Sequence, residues 1–399
     1  MKEKLIIKNF GPIKDVELDL GRFNVLIGEN ATGKSTVAKV LAVCRYFSYI
    51  RESRGVLDYP FELGLESWGL NGHIQDNKSY FSYENIDYHF TAQHFVEDDF
   101  DGQTGEIDGE ISRFKTTLKS KSSRFSNLLN ELNRITPPVQ MEYGFVTLDS
   151  PILPASFFQN DVGSVMNNPF YAPTQRGLQS IFSLGKSSIQ NLSDALFNQL
   201  AKLDSIARFF KNETSIEPLD IVYKNVNGHG FIRKKNDDNF YSLFNAASGY
   251  QSTIPIVLLA KYYSEIKKKP KTFIIEEPEL NLFPSAQNKL MQFLVDKTMN
   301  YGNSLLLTTH SPYILTAVNN LLYAFKIGLN HEEEINKIID KKYWLDPDNV
   351  SAYMLLPNGK CVSILDKEGL IKTEKIDSVS GDLNKEFNEM FDIELAIEK

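Results

Sequence analysis

The sequence predicts an α/β protein whose central sheet carries a phosphate-binding loop. Three observations favour this fold: the segment GENATGKST at residues 28–36, the apolar run before it at residues 23–27, and the helical pattern after it at residues 36–43. A loop between a strand and a helix places backbone amides and a helix N-terminus around an anion. Other segments indicate a mixed sheet core, an antiparallel β lobe and an inserted region of helices and strands.

The loop fills the pattern G-x-x-x-x-G-K-[ST], which a chain of this length matches by accident on the order of once in a hundred sequences. The alternative is a glycine-rich turn that merely connects two elements. In a phosphate loop, Lys34 would reach the β- and γ-phosphates and Ser35 would bind Mg²⁺. The predicted nucleotide-binding residues are Gly28, Glu29, Asn30, Ala31, Thr32, Gly33, Lys34, Ser35 and Thr36.

The chain divides into three segments by sequence pattern. Residues 1–48 and 215–399 carry the α/β motifs, and residues 49–214 are predicted to be an insertion. Two N-terminal strands are expected at residues 5–10 and 16–20, joined by a Gly-Pro turn. After the insertion, the α/β core is predicted to resume with a strand at residues 220–223 and to run to a final hairpin that turns at residues 357–359.

The predicted insertion begins with aromatic-rich strands and continues with two amphipathic patterns. Residues 78–95 predict antiparallel strands. Residues 110–136 and 187–212 repeat apolar residues at steps of three and four, which predicts two helices about 40 Å long. These helices are expected either to pack on each other as a short arm or to lie flat on the domain. Shorter strand candidates lie around residues 145, 156–158 and 170–172.

Composition and charge limit the possible functions. The 399 residues are 42% hydrophobic, enough for a large core, and the net charge of −8 gives no general attraction to nucleic acid. The two cysteines, Cys44 and Cys361, have no spacing for zinc or for a disulfide framework. Because no run of 18 apolar residues occurs, we expect a cytoplasmic protein with no membrane partner.

Two buried strands are predicted to end in catalytic side chains. The apolar run at residues 271–275 is followed by Glu276 and Glu277. Phosphoryl transfer needs one carboxylate for Mg²⁺ and one group that orients and deprotonates water, and we expect Glu276 and Glu277 to fill these roles. A second apolar run at residues 304–309 ends at His310, which is then placed to contact a γ-phosphate or its water.

A second anion site is predicted where a helix begins. Ser248 and Gly249 open an apolar helix and present a hydroxyl and backbone amides. One phosphate loop does not need a second site for the same γ-phosphate unless that site serves another subunit. We therefore expect two subunits, arranged head to tail, to lend Ser248 to each other's nucleotide.

Taken in order, the segments GENATGKS, AASGYQS, FIIEEPELNLFP and LLLTTHSP resemble the ATP-binding-cassette (ABC) ATPases. Among these they are similar to predicted prokaryotic AAA-type ATPases of anti-phage defence systems. These are related to the overcoming-lysogenization-defect (OLD) proteins and the structural-maintenance-of-chromosomes (SMC) heads. The segments IKNFGPI and YAPTQR support the resemblance. It covers residues 1–48 and 215–365, and implies a P-loop NTPase of the ABC head type with ATP sandwiched between two heads.

The resemblance also implies a role for each motif. It implies that Lys34, Glu277 and His310 are catalytic. It further implies a signature motif that acts on the partner's nucleotide, formed by Ser248, Gly249, Tyr250 and Gln251. The implied Mg²⁺ ligands are Ser35, Glu276 and, for the glutamine of the metal shell, Gln175 or alternatively Gln159.

Three departures from the family pattern have consequences. Glu276 stands where an aspartate is usual and is one methylene longer, so we expect Mg²⁺ binding with altered geometry. Tyr250 replaces the second glycine of the usual signature, which keeps the backbone amides but hinders a close approach to phosphate. The insertion is far too short for a long coiled coil, which argues against tethering DNA at a distance.

The sequence therefore predicts an ATPase that forms a homodimer or higher homo-oligomer through its heads and regulates a separate protein effector in defence against phage. One alternative is a DNA-binding repair ATPase. Two others are a transporter's nucleotide-binding subunit, which would associate with a membrane, and an ATP sensor that turns over slowly. The candidate DNA contacts lie on the first predicted arm helix: Arg113, Lys115, Lys119, Lys121 and Arg124.

An intrinsic nuclease is not expected. Relatives of this type often carry a topoisomerase-primase nuclease domain, which needs an Asp-x-Asp motif. Asp346 and Asp348 have that spacing, but their context favours a turn before a hairpin.

Overall fold

The structure is a computed structural model that describes residues 3–54, 61–85, 88–100, 107–120, 170–173, 194–268 and 270–372. Its strands are β1 (Glu3–Phe10), β2 (Ile13–Leu20), β3 (Phe23–Gly28), β4 (Tyr80–Glu84), β5 (Tyr88–Phe100), β6 (Ile107–Ser120), β7 (Phe170–Ala172), β8 (Thr214–Ile216), β9 (Ile221–Val226), β10 (His229–Lys234), β11 (Tyr241–Ser242), β12 (Thr272–Glu276), β13 (Ser304–Thr309), β14 (Val350–Leu355) and β15 (Cys361–Ser363). Its helices are α1 (Lys34–Arg54), α2 (Phe61–Ser67), α3 (Asp194–Phe209), α4 (Ser248–Lys261), α5 (Pro284–Met299), α6 (Pro312–Gly328) and α7 (Glu332–Ile338).

The central sheet has the strand order β15-β14-β3-β13-β12-β7. Every neighbouring pair in it is parallel except the terminal hairpin of β14 and β15. Parallel strands end at the same edge of a sheet, so the segments that follow β3, β12 and β13 meet there. This arrangement confirms the predicted strands at residues 23–27, 271–275 and 304–309, and the final hairpin.

Alternation along the central strands divides the core into two halves. In β3, Val25 and Ile27 belong to the half that includes α4, α5 and α6, whereas Leu26 belongs to the half that includes α1 and the antiparallel sheet. Ile274 of β12 and Leu306 of β13 join Leu26. Both faces of the sheet are covered, which explains why these strands read as continuous apolar runs in the sequence.

An antiparallel sheet with the order β2-β1-β4-β5-β6 covers α1 from the other side. The first two strands pair with each other and confirm the predicted N-terminal hairpin. β4 and β5 confirm the strands predicted at residues 78–95. Leu5 and Ile7 of β1 and Phe81 of β4 pack in the same core half as α1, so the sheet supports the helix that follows the phosphate-binding loop.

Residues 107–120 form strand β6, so the helix predicted to begin at residue 110 is wrong over this stretch. β6 pairs along its length with the long strand β5. Phe114 and Leu118 are four residues apart, an even spacing that suits one face of a strand as well as one face of a helix. The two threonines at residues 116–117 are β-branched and favour a strand. Residues 121–136 of the predicted helix lie outside the described residues.

The second amphipathic pattern does form a helix, α3, within the predicted range of residues 187–212. Its buried residues Leu200, Leu203 and Ile206 belong to the core half that includes α4. α3 therefore lies flat on the domain, as one of the two alternatives predicted. Over the described residues, no helix is long and apolar enough to cross a membrane.

The region predicted as an insertion contributes strands to two sheets. β4, β5 and β6 extend the antiparallel sheet, and β7 joins the edge of the central sheet beside β12. β7 confirms the strand candidate at residues 170–172, whereas the candidates around residues 145 and 156–158 lie outside the described residues. The predicted strand at residues 220–223 is β9, which belongs to a third sheet with the order β11-β10-β9-β8. The division at residues 48 and 214 stays a prediction.

Candidate functional site

The phosphate-binding loop connects β3 to α1 through backbone conformations that favour glycine. Gly33 has a φ of +96°, in the left-handed region, and Ala31 has a φ of +61°. A β-carbon on Gly28 would lie 2.6 Å from the carbonyl oxygen of Leu355 in β14. Gly28 therefore has no room for a side chain, which agrees with a loop that presents its main chain to a phosphate, as predicted.

The ammonium group of Lys34 is held inside this loop. Its Nζ donates hydrogen bonds of 2.8 Å to the carbonyl oxygens of Gly28 and of Glu29, and lies 3.3 Å from Nδ1 of His310. Lys34 is only 5% exposed. Burial lowers its pKa, while the nearby carboxylates of Glu277, Glu279 and Glu276 oppose that shift.

His310 joins the loop to the acidic end of β12. Its Nε2 lies 3.1 Å from Oε1 of Glu277, on the opposite side of the ring from Lys34. An ammonium group can only donate, so Nδ1 must accept from Lys34, and Nε2 then carries the proton and donates to Glu277. We infer a neutral imidazole in this tautomer. Glu277, His310 and Lys34 thus form one hydrogen-bonded chain across the edge of the sheet.

The backbone turns sharply after β12. Glu277 has a φ of +43°, which is uncommon for a residue with a side chain, and its N–H donates to the carbonyl of Thr308 at 2.9 Å. Strand β12 therefore ends at Glu276, and the turn of residues 277–282 begins at Glu277. The sequence predicted the two adjacent carboxylates, but not the left-handed residue that separates the strand from the turn.

Glu276 is the buried member of the pair, 5% exposed, beside Tyr171 of β7. Burial, and secondarily the carboxylate of Glu276, raise the pKa of the Tyr171 hydroxyl. Ser35, in contrast, is exposed at the first turn of α1. A hydroxyl and a carboxylate are oxygen ligands of the kind that Mg²⁺ prefers, with waters and phosphates completing its shell. Within the described chain, no group of three or more His, Cys, Asp or Glu residues could hold a metal ion.

A third carboxylate, Glu279, lies behind His310. Its Oε1 accepts from the hydroxyl of Thr309 at 2.5 Å and from the N–H of His310 at 3.0 Å. Burial raises the pKa of Glu279, and these two hydrogen bonds oppose the shift. Sequence reasoning assigned no role to Glu279. The signal in the sequence was its position, three residues after Glu276 at the end of β12 and in the same turn as Glu277.

The signature segment lies at the start of α4. Ala247, the residue before the helix, offers no side-chain acceptor to its first amides, and Ser248 is half-buried. A β-carbon on Gly249 would lie 2.6 Å from the carbonyl oxygen of Asn281, so α4 begins in contact with the turn of residues 277–282. Nε2 of Gln251 donates to the carbonyls of Phe244 and Ala246, which fixes the approach to the helix. Tyr250 packs at the margin of the core.

Other predicted residues lie away from this centre. Asp346 caps a short turn, since its Oδ1 accepts from the N–H of Asp348 at 3.0 Å. The Asp-x-Asp motif therefore forms the turn that the sequence predicted. Gln159 and Gln175, and the basic residues Lys121 and Arg124, lie outside the described residues. The remaining three basic candidates, Arg113, Lys115 and Lys119, lie on strand β6 and not on a helix.

Comparison with known proteins gives one family and several distant relatives. The family described as "AAA domain, putative AbiEii toxin, Type IV TA system" matches residues 23–316, which are 294 of the 399 residues. The OLD nuclease of Thermus scotoductus is 21% identical over 94% of this chain and 79% of that protein. The Old nuclease of Escherichia phage P2 is 24% identical over 78% of this chain, which spans only 56% of that protein's length.

Solved structures with similar coordinates include two heads of SMC proteins. An SMC head domain from Thermotoga maritima is 12% identical, with a TM-score of 0.39 over 91% of this chain and 98% of that one. An SMC head bound to the C-terminal winged-helix domain of ScpA is 9% identical, with a TM-score of 0.44 over 91% of this chain and 97% of that one. Because both TM-scores are below 0.5, the assignment of the family does not rest on these two structures. Because this family model covers nearly three quarters of the chain, the protein belongs to the AAA family of that description.

Proposed function

We propose that the protein binds and hydrolyses Mg-ATP, and that two copies close head to tail around the nucleotide to control a separate protein effector. The observation that carries this proposal is the hydrogen-bonded chain from Glu277 through His310 to Lys34 at the phosphate-binding loop. A carboxylate, an imidazole and an ammonium group are the side chains that activate water and hold a γ-phosphate.

Each residue has a part in the proposed reaction. Lys34 and the loop amides bind the β- and γ-phosphates, and Lys34 exchanges the carbonyls of Gly28 and Glu29 for phosphate oxygens when ATP enters. Ser35 and Glu276 would hold Mg²⁺, which when bound would neutralise charge on the phosphates. Glu277 orients the attacking water and accepts its proton, while Nε2–H of His310 holds the carboxylate in place.

The proposed head-to-tail dimer uses the start of α4. Ser248 and the first amides of this helix would contact the γ-phosphate bound by the partner copy. The close packing of Gly249 on the turn after Glu277 supports this arrangement, because it connects the signature segment with the acidic turn of its own chain. Tyr250 and Glu276, which depart from the usual residues, leave a slow ATP sensor as a variant of the same proposal.

We propose a role in conflict between bacteria and phage. The description of the family names a toxin of a TA system, and one relative is encoded by a phage. Both relatives are named nucleases, but this chain spans little more than half of the phage protein. We propose that the effector is a separate protein, because Asp346 and Asp348, the Asp-x-Asp pair of the described chain, form a turn.

A second candidate is a head that binds DNA, favoured by the pattern of β6. Arg113, Lys115 and Lys119 all lie on the edge strand β6, where the first two pair with Phe95 and Gln93 of β5. A basic stripe of this kind would contact phosphates. This candidate predicts that DNA stimulates ATP hydrolysis and that the stimulation declines steeply with salt. A rate that DNA leaves unchanged at low salt would argue against it.

The first experiment is sedimentation of Glu277→Gln with and without Mg-ATP, together with phosphate release by the wild type. We expect the variant to bind ATP, to dimerise with it and to release no phosphate. A wild-type protein that binds no ATP would overturn the proposed function. If Glu277→Gln hydrolysed ATP at the wild-type rate, Glu277 would not be the group that accepts a proton from the attacking water.

A further inference from the structure

The position of His310 depends on a clamp that starts at Glu279. Two donors converge on one carboxylate oxygen: the Thr309 hydroxyl at 2.5 Å and the His310 N–H at 3.0 Å. One donor is the side chain of Thr309, the residue before the histidine, and the other is the main-chain N–H of His310 itself. Glu279 therefore fixes the main chain at the point from which the His310 side chain departs.

The clamp continues on the other side of His310. The Thr309 hydroxyl oxygen accepts from the Ser311 N–H at 2.9 Å, and the Ser311 hydroxyl donates to Oε1 of Gln287 at 2.7 Å. Gln287 in turn donates to the carbonyl of Leu282, in the same turn as Glu279. Both neighbours of His310 are thus tied to side chains of one turn and one helix, and the histidine has little freedom to shift along the chain.

Burial makes the choice of a carboxylate informative. Glu279 is 7% exposed, and its Oε2 has no hydrogen-bond partner in the described chain. Burying a carboxylate without full compensation costs stability. An apolar residue would fill this buried position with less loss of stability. The presence of a carboxylate therefore favours a functional reason for a hydrogen-bond acceptor here.

We propose that Glu279 is the positioning residue of ATP hydrolysis: through the N–H of His310 and the hydroxyl of Thr309 it sets the imidazole between Glu277 and Lys34. This inference rests on the proposed function. Glu279 is not itself a candidate base, because the oxygen directed towards His310 already accepts two hydrogen bonds. It acts through His310, and its effect should appear in the chemical step and not in the binding of nucleotide.

The test compares Glu279→Ala with Glu279→Gln in single-turnover phosphate release and in nucleotide binding. We expect Glu279→Ala to lower the rate by about 10- to 100-fold, since a displacement of about 1 Å has that effect. Nucleotide affinity should stay within about threefold, because Lys34 and the loop are untouched. Glu279→Gln keeps an oxygen acceptor and should retain most of the rate.

A double variant distinguishes positioning from simple destabilisation. In a His310→Ala background, Glu279→Ala should cause no further loss of rate, because its effect passes through the missing imidazole. Losses that multiply in the double variant would overturn the proposal, as would a wild-type rate for folded Glu279→Ala. Asn303→Ala is the stability control: Asn303 is buried and bonded to Ser264 and Lys297, away from the site, and its loss should leave the rate per folded molecule unchanged.

Two further measurements keep the test decisive. If Glu279→Ala does not fold, Thr309→Val removes one donor of the clamp with little change in shape, and it should lower the rate in the same direction. If the wild type hydrolyses no ATP, the proposed function fails, and the nitrogen NMR signals of His310 still decide the inference. These signals, assigned by comparison with His310→Ala among the six histidines, should move in Glu279→Ala. Unchanged signals would overturn the clamp.

Discussion

The two predicted anion-binding regions of this protein differ in how far each is completed by its own chain. At the carboxyl edge of the central sheet, Lys34, His310 and Glu277 hold one another, and the loop carbonyls hold Lys34. At the start of α4, Ser248 is half-buried, and the residue before it contributes no capping side chain. We call the first region the finished site, and the second, which we propose is completed by a second molecule, the half site.

The proposed head-to-tail dimer would account for two anion-binding regions in one chain. The contact between Gly249 and the carbonyl of Asn281 lies between them, at the turn that follows Glu277. The two regions of one chain are therefore joined through one turn of backbone. The following experiments are arranged from the largest expected effect to the smallest.

The largest effect is expected at the finished site. Lys34→Ala removes the ammonium group that contacts phosphate, so nucleotide affinity and phosphate release should both fall by at least about 100-fold. Isothermal titration and a phosphate assay measure the two quantities. Lys39→Ala, on the same helix but outside the loop, is the matched control and should change neither. Unaltered binding by Lys34→Ala would contradict the assignment of the loop.

The half site should fail without loss of nucleotide binding. Ser248→Arg places a bulky side chain at the start of α4, so turnover should be abolished while the isolated chain still binds ATP. Asn239→Arg, on an exposed loop, is the control. An equal mixture of Ser248→Arg and Lys34→Ala chains should recover about a quarter of the wild-type rate, because half of the dimers are mixed and each contains one intact composite site. No recovery would argue against independent sites shared between subunits.

The contact between the two regions should be visible as stability. Gly249→Ala introduces a β-carbon 2.6 Å from the carbonyl oxygen of Asn281, so the backbone must shift. We expect a loss of about 1–3 kcal/mol in the free energy of unfolding, measured by denaturant. Gly72→Ala is the control, since a β-carbon there would meet no atom within 4 Å. If the two variants were equally stable, the approach of Gly249 to the carbonyl of Asn281 would not be close enough to strain the backbone.

The smallest effect is a pH dependence of the finished site without nucleotide. Burial raises the pKa of Glu279, so the folded protein binds this proton more tightly than the unfolded chain. The contribution of Glu279 to stability is therefore highest below its usual pKa of 4.5 and declines as the pH rises through the raised value. Glu279→Gln does not titrate, so its melting temperature relative to the wild type should increase between pH 4 and pH 7.

Asp220→Asn is the control of opposite sign for this pH experiment. Lys289 and Lys235 lower the pKa of Asp220, so its contribution is present above the usual pKa and is lost as the pH falls. The melting temperature of Asp220→Asn relative to the wild type should therefore decrease slightly as the pH rises. A constant difference for Glu279→Gln across the range would contradict the shifted pKa.

Local signals in the sequence predicted the three motifs that the structure brings together at the finished site. The loop, the acidic end of β12 and the histidine after β13 each follow an apolar run, and the parallel arrangement then brings the three together. The resemblance to a family supplied the order of these motifs. What the local pattern did not supply is the conformation of Glu277 and the contacts of Glu279, because both depend on the distant strand β13.

Long-range pairing also explains the errors elsewhere in the fold. β6 was predicted as helix because its apolar spacing suits both structures, and only its partner β5 decides between them. β7 is three residues long, and nothing in its sequence indicates that it joins the central sheet beside β12. Pairing partners that are far apart along the chain leave no local trace, so a sequence pattern predicts that a strand exists better than where it pairs.

The two carbonyl oxygens that hold Lys34 have a consequence for the design of inhibitors. Under the proposed function, a competitor that binds Lys34 must replace its hydrogen bonds to the carbonyl oxygens of Gly28 and Glu29, each 2.8 Å long. A nucleoside without phosphates brings no acceptors to that ammonium group and would leave it in place. Competitors that bind Lys34 will therefore need an anionic or strongly accepting tail, whatever base or ring they carry at the other end.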